Sequence, residues 1–284
     1  MATTWLRASM SMTPTSARGM ATLKDIETRL KSVKNIKKIT SSMKMVSAAK
    51  FTRAEKALKP ARVYGTGAAA LYDKNEFVAG EDKLYVAISS DRGLCGGIHS
   101  GLGRKFKALH LESPIKKSII VGDKAKLILL KTMGDTYLST FNNVGKKASS
   151  FTDALEIAEE ILSHEFDSAD IAYNSFINVV SYKPIIKPIP SAANIESNDA
   201  VYAYDEVDSE VVRCYQEFSL ANIIHHALKE QESSEQSARM NAMENATRNA
   251  GEMIDKLQLQ YNRTRQAVIT RELIEIISGA NALE

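Results

Sequence analysis

The sequence predicts an α/β protein: a long antiparallel coiled coil of N- and C-terminal helices plus a central α/β domain. Three observations lead there. Nine of the fourteen glycines lie between Gly80 and Gly145, whereas Ala21 to Lys59 holds neither Gly nor Pro, and only Gly251 and Gly279 interrupt the chain after Pro190. Helix breakers therefore concentrate in the middle and leave both ends free to be long helices. Short apolar runs alternate with helical patterns in that middle stretch. On either side of it, apolar residues recur at steps of three and four. The expected parts are a leader at 1–20, an N-terminal coiled-coil helix at 21–78, a central domain at 79–206 and a C-terminal coiled-coil helix at 207–284.

The leader, residues 1–20, has no Asp or Glu, two bases (Arg7 and Arg18) and many Ser and Thr. That is the profile of a mitochondrial transit peptide, and Arg18 three residues before Ala21 puts the expected cleavage between Met20 and Ala21. The N-terminal helix follows, with apolar residues at Leu23, Ile26, Leu30, Val33, Ile36, Ile39, Met43 and Val46. One stripe persists, but the heptad slips in the middle. A helix of about 40 residues would be about 60 Å long.

The central domain begins with the apolar runs Leu84–Ser89 and Ser118–Val121, each leading through a polar loop into helical pattern at Ile98–His110 and Lys124–Lys131. Thr136–Phe141 and Asp170–Val180 read as further strands, with a helix at Thr152–His164 between them. Strand–loop–helix repetition predicts a parallel, doubly wound, Rossmann-like sheet. Pro184, Pro188 and Pro190 close the section, where a regular central strand is excluded by the missing N–H groups.

The C-terminal helix starts its inward face with Leu220, Ile224 and Ala227, then turns small and polar at Ala238, Ala242, Asn245, Ala246, Asn249 and Ala250. It becomes apolar again at Met253, Leu257, Val268, Leu273 and Ile277. At roughly 110 Å it cannot be held by propensity alone, so the two end helices should pair antiparallel, the C-terminal one overhanging.

Composition excludes several classes. With 284 residues, 44% hydrophobic and 25% charged, the chain can bury a core and is not wholly disordered. Cys95 and Cys214 cannot build a disulfide framework or a four-cysteine zinc site, which suits a soluble chain of a reducing compartment. No apolar run approaches the roughly 18 residues of a membrane span. Charge is uneven: Thr22 to Arg62 carries twelve bases against three acids, while everything after Arg62 is net acidic. The basic helix points to an acidic partner surface. By charge alone that leaves a nucleic acid, an anionic membrane, an acidic protein or plain solvent open; Phe51 is the only aromatic in it, which argues against base stacking.

The candidate chemical sites are thin. Ser89-Ser-Asp-Arg-Gly-Leu-Cys-Gly-Gly-Ile98 lies between a strand and a helix, where a Gly-rich turn could hold phosphate. It lacks the Lys-Ser/Thr pair of a P-loop and the spacing of the dinucleotide fingerprint, and reads better as a tight turn for close packing. Cys95 with His99 and Asp91 could form a thiol–base pair, but a small buried thiol beside a surface histidine is the simpler reading. His225 and His226 point about 100° apart on a helix and cannot share one metal. No catalytic residue, metal site or cofactor is expected.

Three stretches together resemble the gamma subunit family of F-type ATP synthase: Lys34–Ala57, Ser89–Leu102 and Ser233–Ala280, the last ending in I-T-x-E-x-x-E-x-x-x-G-A from Ile269. The resemblance covers the chain from Ala21 onward. It implies a non-catalytic central-stalk rotor whose coiled coil turns inside a hexamer of alpha and beta subunits. Its α/β foot would meet the small stalk subunits delta and epsilon and the membrane c-ring, on the matrix side of the mitochondrial inner membrane. Catalysis would belong to the beta subunits, with no cofactor on the shaft and no nucleic acid as partner. By the same resemblance, Arg265, Gln266, Thr270 and Glu272 on the C-terminal helix touch beta-subunit loops, Arg239 does so further down, and Met43 and Lys44 face them from the N-terminal helix. Arg can bond carboxylates in pairs, a geometry Lys lacks. The lysines near Met43 would meet acidic loops without a rigid lock, since a buried ion pair at each stop would oppose turning. The inserted cysteine pair of chloroplast members is absent from this sequence.

Overall fold

The computed structural model describes residues 22–75, 77, 80, 82–198, 201, 204 and 207–281. The proposed leader and its cleavage point lie outside the described residues. In chain order the elements are α1 (Leu23–Ala68), α2 (Ala70–Lys74), β1 (Lys83–Ile88), α3 (Ile98–Glu112), β2 (Lys117–Val121), α4 (Asp123–Met133), β3 (Tyr137–Phe141), α5 (Phe151–Leu162), β4 (Ser168–Phe176), β5 (Tyr182–Pro190), α6 (Ala192–Glu196) and α7 (Ser209–Asn281). The chain divides into two compact units, one of Met1–Ile36 with Asn249–Glu284, the other of Lys37–Arg248.

The larger unit is built on a five-stranded sheet of order β3-β2-β1-β4-β5. β1, β2, β3 and β4 pair in parallel, as expected. The proline segment corrects the expectation of a wholly parallel sheet: it forms β5, antiparallel to β4 with Ser168 opposite Pro190 and Phe176 opposite Tyr182. Its three prolines share one parity in that register, so their missing N–H groups fall on one side of an edge strand, where no partner is lost. β4 also stops at Phe176, earlier than its apolar pattern suggests, because Asn178 turns the chain by bonding the N–H groups of Val180 and Ser181 at 2.9 and 2.7 Å.

Both faces of the sheet are covered, which is why β1 and β2 are continuously apolar rather than alternating. On one face Leu84, Val86, Ile88, Ile119, Val121, Ala169 and Ile171 meet Ile157 and Ile161 of α5 and Leu220, Ile224 and Ala227 of α7. On the other, Tyr85, Ala87, Ile120 and Ala172 meet Leu102 and Phe106 of α3 and Ala125, Leu129 and Met133 of α4. α5 is started by a capping box in which Ser150 and Asp153 satisfy each other's backbone N–H groups.

α1 runs through Pro60, whose ring lies on the exposed side of the helix, so water can take the carbonyl that loses its donor. Within each unit its buried residues recur at steps of three and four. In the smaller unit Ile26, Leu30 and Val33 meet Ala250, Ile254, Leu257 and Tyr261 of α7. In the larger unit the turned-in residues are Thr40, Lys44, Ser47, Phe51, Ala54, Leu58, Ala61, Gly65 and Ala68. Thr247 bonds Thr40 at 2.8 Å, Lys44 pairs with Glu244 at 3.0 Å and Arg62 with Glu230 at 2.6 Å; one number rises as the other falls, so the helices are antiparallel. A 3.5-residue period of this kind is that of a left-handed coiled coil.

The heptad corrects the apolar stripe expected from sequence. Ile36, Ile39 and Val46 stand outside the seam, 50%, 58% and 55% exposed, while the polar Thr40 and Ser47 are buried in their place. On α7 the seam is Met243, Thr247, Ala250, Ile254, Leu257, Tyr261 and Thr264, again at steps of four and three. Asn245, Asn249 and Met253, expected to face inward, face outward. So do Val268, Leu273 and Ile277, because no described residue of α1 lies opposite them.

Candidate functional site

In a sheet of this order, ligands bind where the strand connections diverge, at the carboxyl ends of β1 and β4. Here the chain fills that crevice itself. Ser89 Oγ donates to Val121 O at 2.9 Å and accepts from the N–H of Ala125, and Asp91 Oδ1 accepts from the N–H of Asp123 at 2.8 Å. The N–H groups at the start of α4, beside the Gly-rich loop, are thus capped by the protein's own oxygens, while the start of α3 at Gly97 carries no side-chain cap. Gly122, at φ +97°, sits so close beneath the loop that a Cβ there would lie 2.6 Å from Ser90 N. From the other side α7 closes over the crevice with Gln231 and Glu235, leaving a cavity of about 20 Å³ against Ser90 and Gly145. A nucleotide needs a cleft of some hundreds of Å³.

The thiol–base arrangement does not form in this loop, and His99, expected at the surface, is buried because α3 turns its ring in toward the Arg92 carbonyl. Cys95 Sγ and His99 Nε2 both turn to the carbonyl of Arg92, at 3.6 and 3.1 Å, rather than to each other. Burial pushes the Cys95 thiol up to about 11 and holds His99 below its ordinary value, so both are neutral at pH 7. His225 packs edge-on against Phe151, while His226 Nε2 bonds Glu230 at 3.2 Å; the two rings serve different partners.

A buried polar network on α7 was not foreseen from the sequence. Residues Lys229 to Arg239 of α7, K-E-Q-E-S-S-E-Q-S-A-R, are nearly all buried. They bond main-chain groups of the central domain. Glu230 accepts from the N–H of Phe176 at 2.6 Å, and Gln231 Oε1 from that of Asn174 at 3.3 Å. Ser234 donates to Asn174 O at 3.1 Å; Ser237 and Asn241 both donate to Val179 O. Lys229 reaches Ser149 O, and Arg239 reaches Gly93 O at 3.3 Å. Burial pushes the Glu230 carboxyl up, but hydrogen bonds from His226, Arg62 and the Phe176 N–H outweigh it and hold the group down at about 2. The signal was in the sequence: a helix that stays uncharged on no face, directly after an apolar run, must bury polar groups if it continues to pack.

The residues expected to touch partners separate into two sets. Arg239 is buried, 7% exposed, and its guanidinium is committed to Glu235, Gln236 and Gly93 O inside the chain. Met43 and Lys44 are half-buried at the α1–α7 seam, and the Lys44 ammonium holds Glu244 below the usual carboxylate range. Arg265, Gln266, Thr270 and Glu272 are all exposed on α7. Thr270 Oγ donates back to Gln266 O at 2.9 Å, so these two lie one turn apart on one side. Around them Ile269, Leu273, Ile274, Ile276 and Ile277 are exposed as well, up to 67% for Ile276. Among the described residues nothing covers this apolar helix end.

The model of the ATP synthase family matches residues 22–283. A rat protein named ATP synthase F(1) complex subunit gamma, mitochondrial, is 55% identical over 273 residues, 93% of this chain and all of that one. The chain belongs to the ATP synthase gamma family. A Drosophila melanogaster gamma subunit, also mitochondrial, is 51% identical and covers 98% of this chain and 96% of its own. Among solved structures, a chain of the Euglena gracilis mitochondrial ATP synthase with OSCP and c-ring superposes with a TM-score of 0.78 at 27% identity, covering 92% of this chain and 94% of that one. A chain of the Euglena rotor gives 0.72 at 26% identity, covering 87% and 98%. Both likenesses span most of this chain.

Proposed function

We propose that this gamma subunit is the central-stalk rotor of a mitochondrial proton-translocating ATP synthase and itself performs no bond chemistry. It carries rotation from the membrane c-ring to the beta subunits of an alpha–beta hexamer and so couples proton flow to ATP synthesis. The central α/β domain is the foot, beside the delta and epsilon stalk subunits; the paired ends of α1 and α7 are the shaft. The protein works at the matrix side of the inner membrane, and among the described residues no helix is long and apolar enough to cross it.

The observation that carries this reading is the occupied crevice. The place where a fold of this kind would bind nucleotide is filled by Gln231 and Glu235 of the chain's own α7, so nucleotide chemistry is left to partners. The bare apolar end of α7 supports the second half: Arg265, Gln266, Thr270 and Glu272 are the contacts we assign to beta subunits, with Met43 and Lys44 on α1. Arg239 joins that assignment only through the helix it steadies, since its own guanidinium is engaged within the chain.

The test is to tag the chain in mitochondria and determine the mass and composition of the native complex it brings down. One copy per alpha–beta hexamer is expected; a free monomer rejects the rotor reading. Removing Ile269–Glu284 from the complex should weaken coupled synthesis while the foot stays folded, and unchanged proton-driven synthesis would sink the assignment of contacts on α7.

A further inference from the structure

We propose that the polar stripe Glu230, Ser234, Ser237 and Asn241 of α7 is a rotation lock, which fixes this helix in angle and height to the foot so that twist passes between them without slip. The proposal rests on the rotor reading and names where torque enters the helix.

Those four residues follow one another at steps of four, three and four, the spacing of a single helical stripe. Such a stripe packed against a sheet is ordinarily apolar. Here each member instead bonds a main-chain group of β4 or of the turn that follows it: Phe176 N–H, Asn174 O and, twice, Val179 O. Gln231, Lys229 and Arg239 extend the row to Asn174 N–H, Ser149 O and Gly93 O, making seven bonds from α7 side chains to foot backbone.

Apolar contact is non-directional, so a helix with small side chains in a greasy socket turns at little cost. Hydrogen bonds are not: they weaken steeply with distance and angle. Moving α7 by one residue means about 100° of rotation and about 1.5 Å of rise. That parts all seven bonds at once and strands buried donors and acceptors. The partners on the foot are all backbone atoms, carbonyls for five bonds and the N–H groups of Asn174 and Phe176 for two, and a backbone group cannot rotate after the helix as a side chain could. A polar stripe contributes less net stability than apolar burial of the same area, so what it adds over an apolar one is position.

The test uses the assembled complex with the hexamer held and twist applied at the foot. The variant Ser234→Ala/Ser237→Ala/Asn241→Ala removes three of the seven bonds and leaves the main chain intact. Torsional stiffness should fall measurably below the parent's, the Ser237 and Asn241 bonds acting as one because they share Val179 O. ATP hydrolysis by the hexamer should stay at the parent rate, and proton-driven synthesis should drop. Ile157→Val in the foot core serves as the control; it loosens the fold without touching the row, and should leave stiffness unchanged. Parent-like stiffness in the triple variant overturns the lock, as does an equal loss in the Ile157→Val control. Failure of the parent chain to enter the complex would instead overturn the rotor reading beneath it.

Discussion

Glu230 gives the sharpest energetic prediction. It is 2% exposed and takes bonds from Arg62 Nε at 2.6 Å, the Phe176 N–H at 2.6 Å and His226 at 3.2 Å. Its carboxyl lies at about 2 in the folded chain against 4.5 for the free group. A depressed folded pKa means the ionised form is what the fold stabilises. The stabilisation is complete above about pH 4.5 and is lost as the pH falls toward about 2; at pH 7 the difference corresponds to about 3 kcal/mol. Glu230→Gln keeps the shape, removes the charge and points an amide donor at one of three donors. Arg62 is partly exposed and can turn to water, which softens the loss, so we expect the variant to cost about 2–3 kcal/mol at pH 7. Hydrogen exchange at the Phe176 amide in the full-length chain, followed through a urea series, reads this opening locally. The gap between parent and variant should shrink as pH is lowered from 5 toward 2. A gap below about 1 kcal/mol at pH 7, or one that does not change with pH, would refute the assignment of the charge as the element that holds the carboxylate in place.

Other consequences are simpler to check. Gly65 lets α1 pass so near α7 that a Cβ would lie 2.5 Å from His226, so Gly65→Ala should lower stability by about 1–3 kcal/mol in thermal melts, and a neutral result would contradict the close approach. Cys214 is exposed while Cys95 is buried with its thiol raised to about 11, so maleimide should label Cys214 first by mass spectrometry; equal rates would mean the Gly loop opens readily. Lys44→Met removes an ion pair that is solvent-screened on both sides, so the melting midpoint should not move, and any effect should appear in coupled synthesis alone.

What the sequence by itself determined is the class of each part. Gly and Pro placement separated long helices from the sheet, because the cost of breakers inside a helix is local and can be read one residue at a time. Continuous apolar runs marked β1 and β2 as strands covered on both faces, and the family resemblance followed from residues that are simply present in order. Which face of a helix turns inward was decided only by the tertiary structure. Ile36, Ile39 and Val46 follow the helical period as well as Thr40, Lys44 and Ser47 do, and nothing local tells a seam that faces a partner helix from one that faces outward. The same holds for β5, whose prolines forbid a central strand but are harmless at an edge, a distinction that exists only once the sheet has neighbours. Arg239 and the stripe from Glu230 to Asn241 show it most clearly. Polar side chains look solvent-facing in a sequence because burying them unpaired is costly, and here the backbone acceptors that remove that cost come from Gly93, Asn174 and Val179, about 60 or more positions away along the chain.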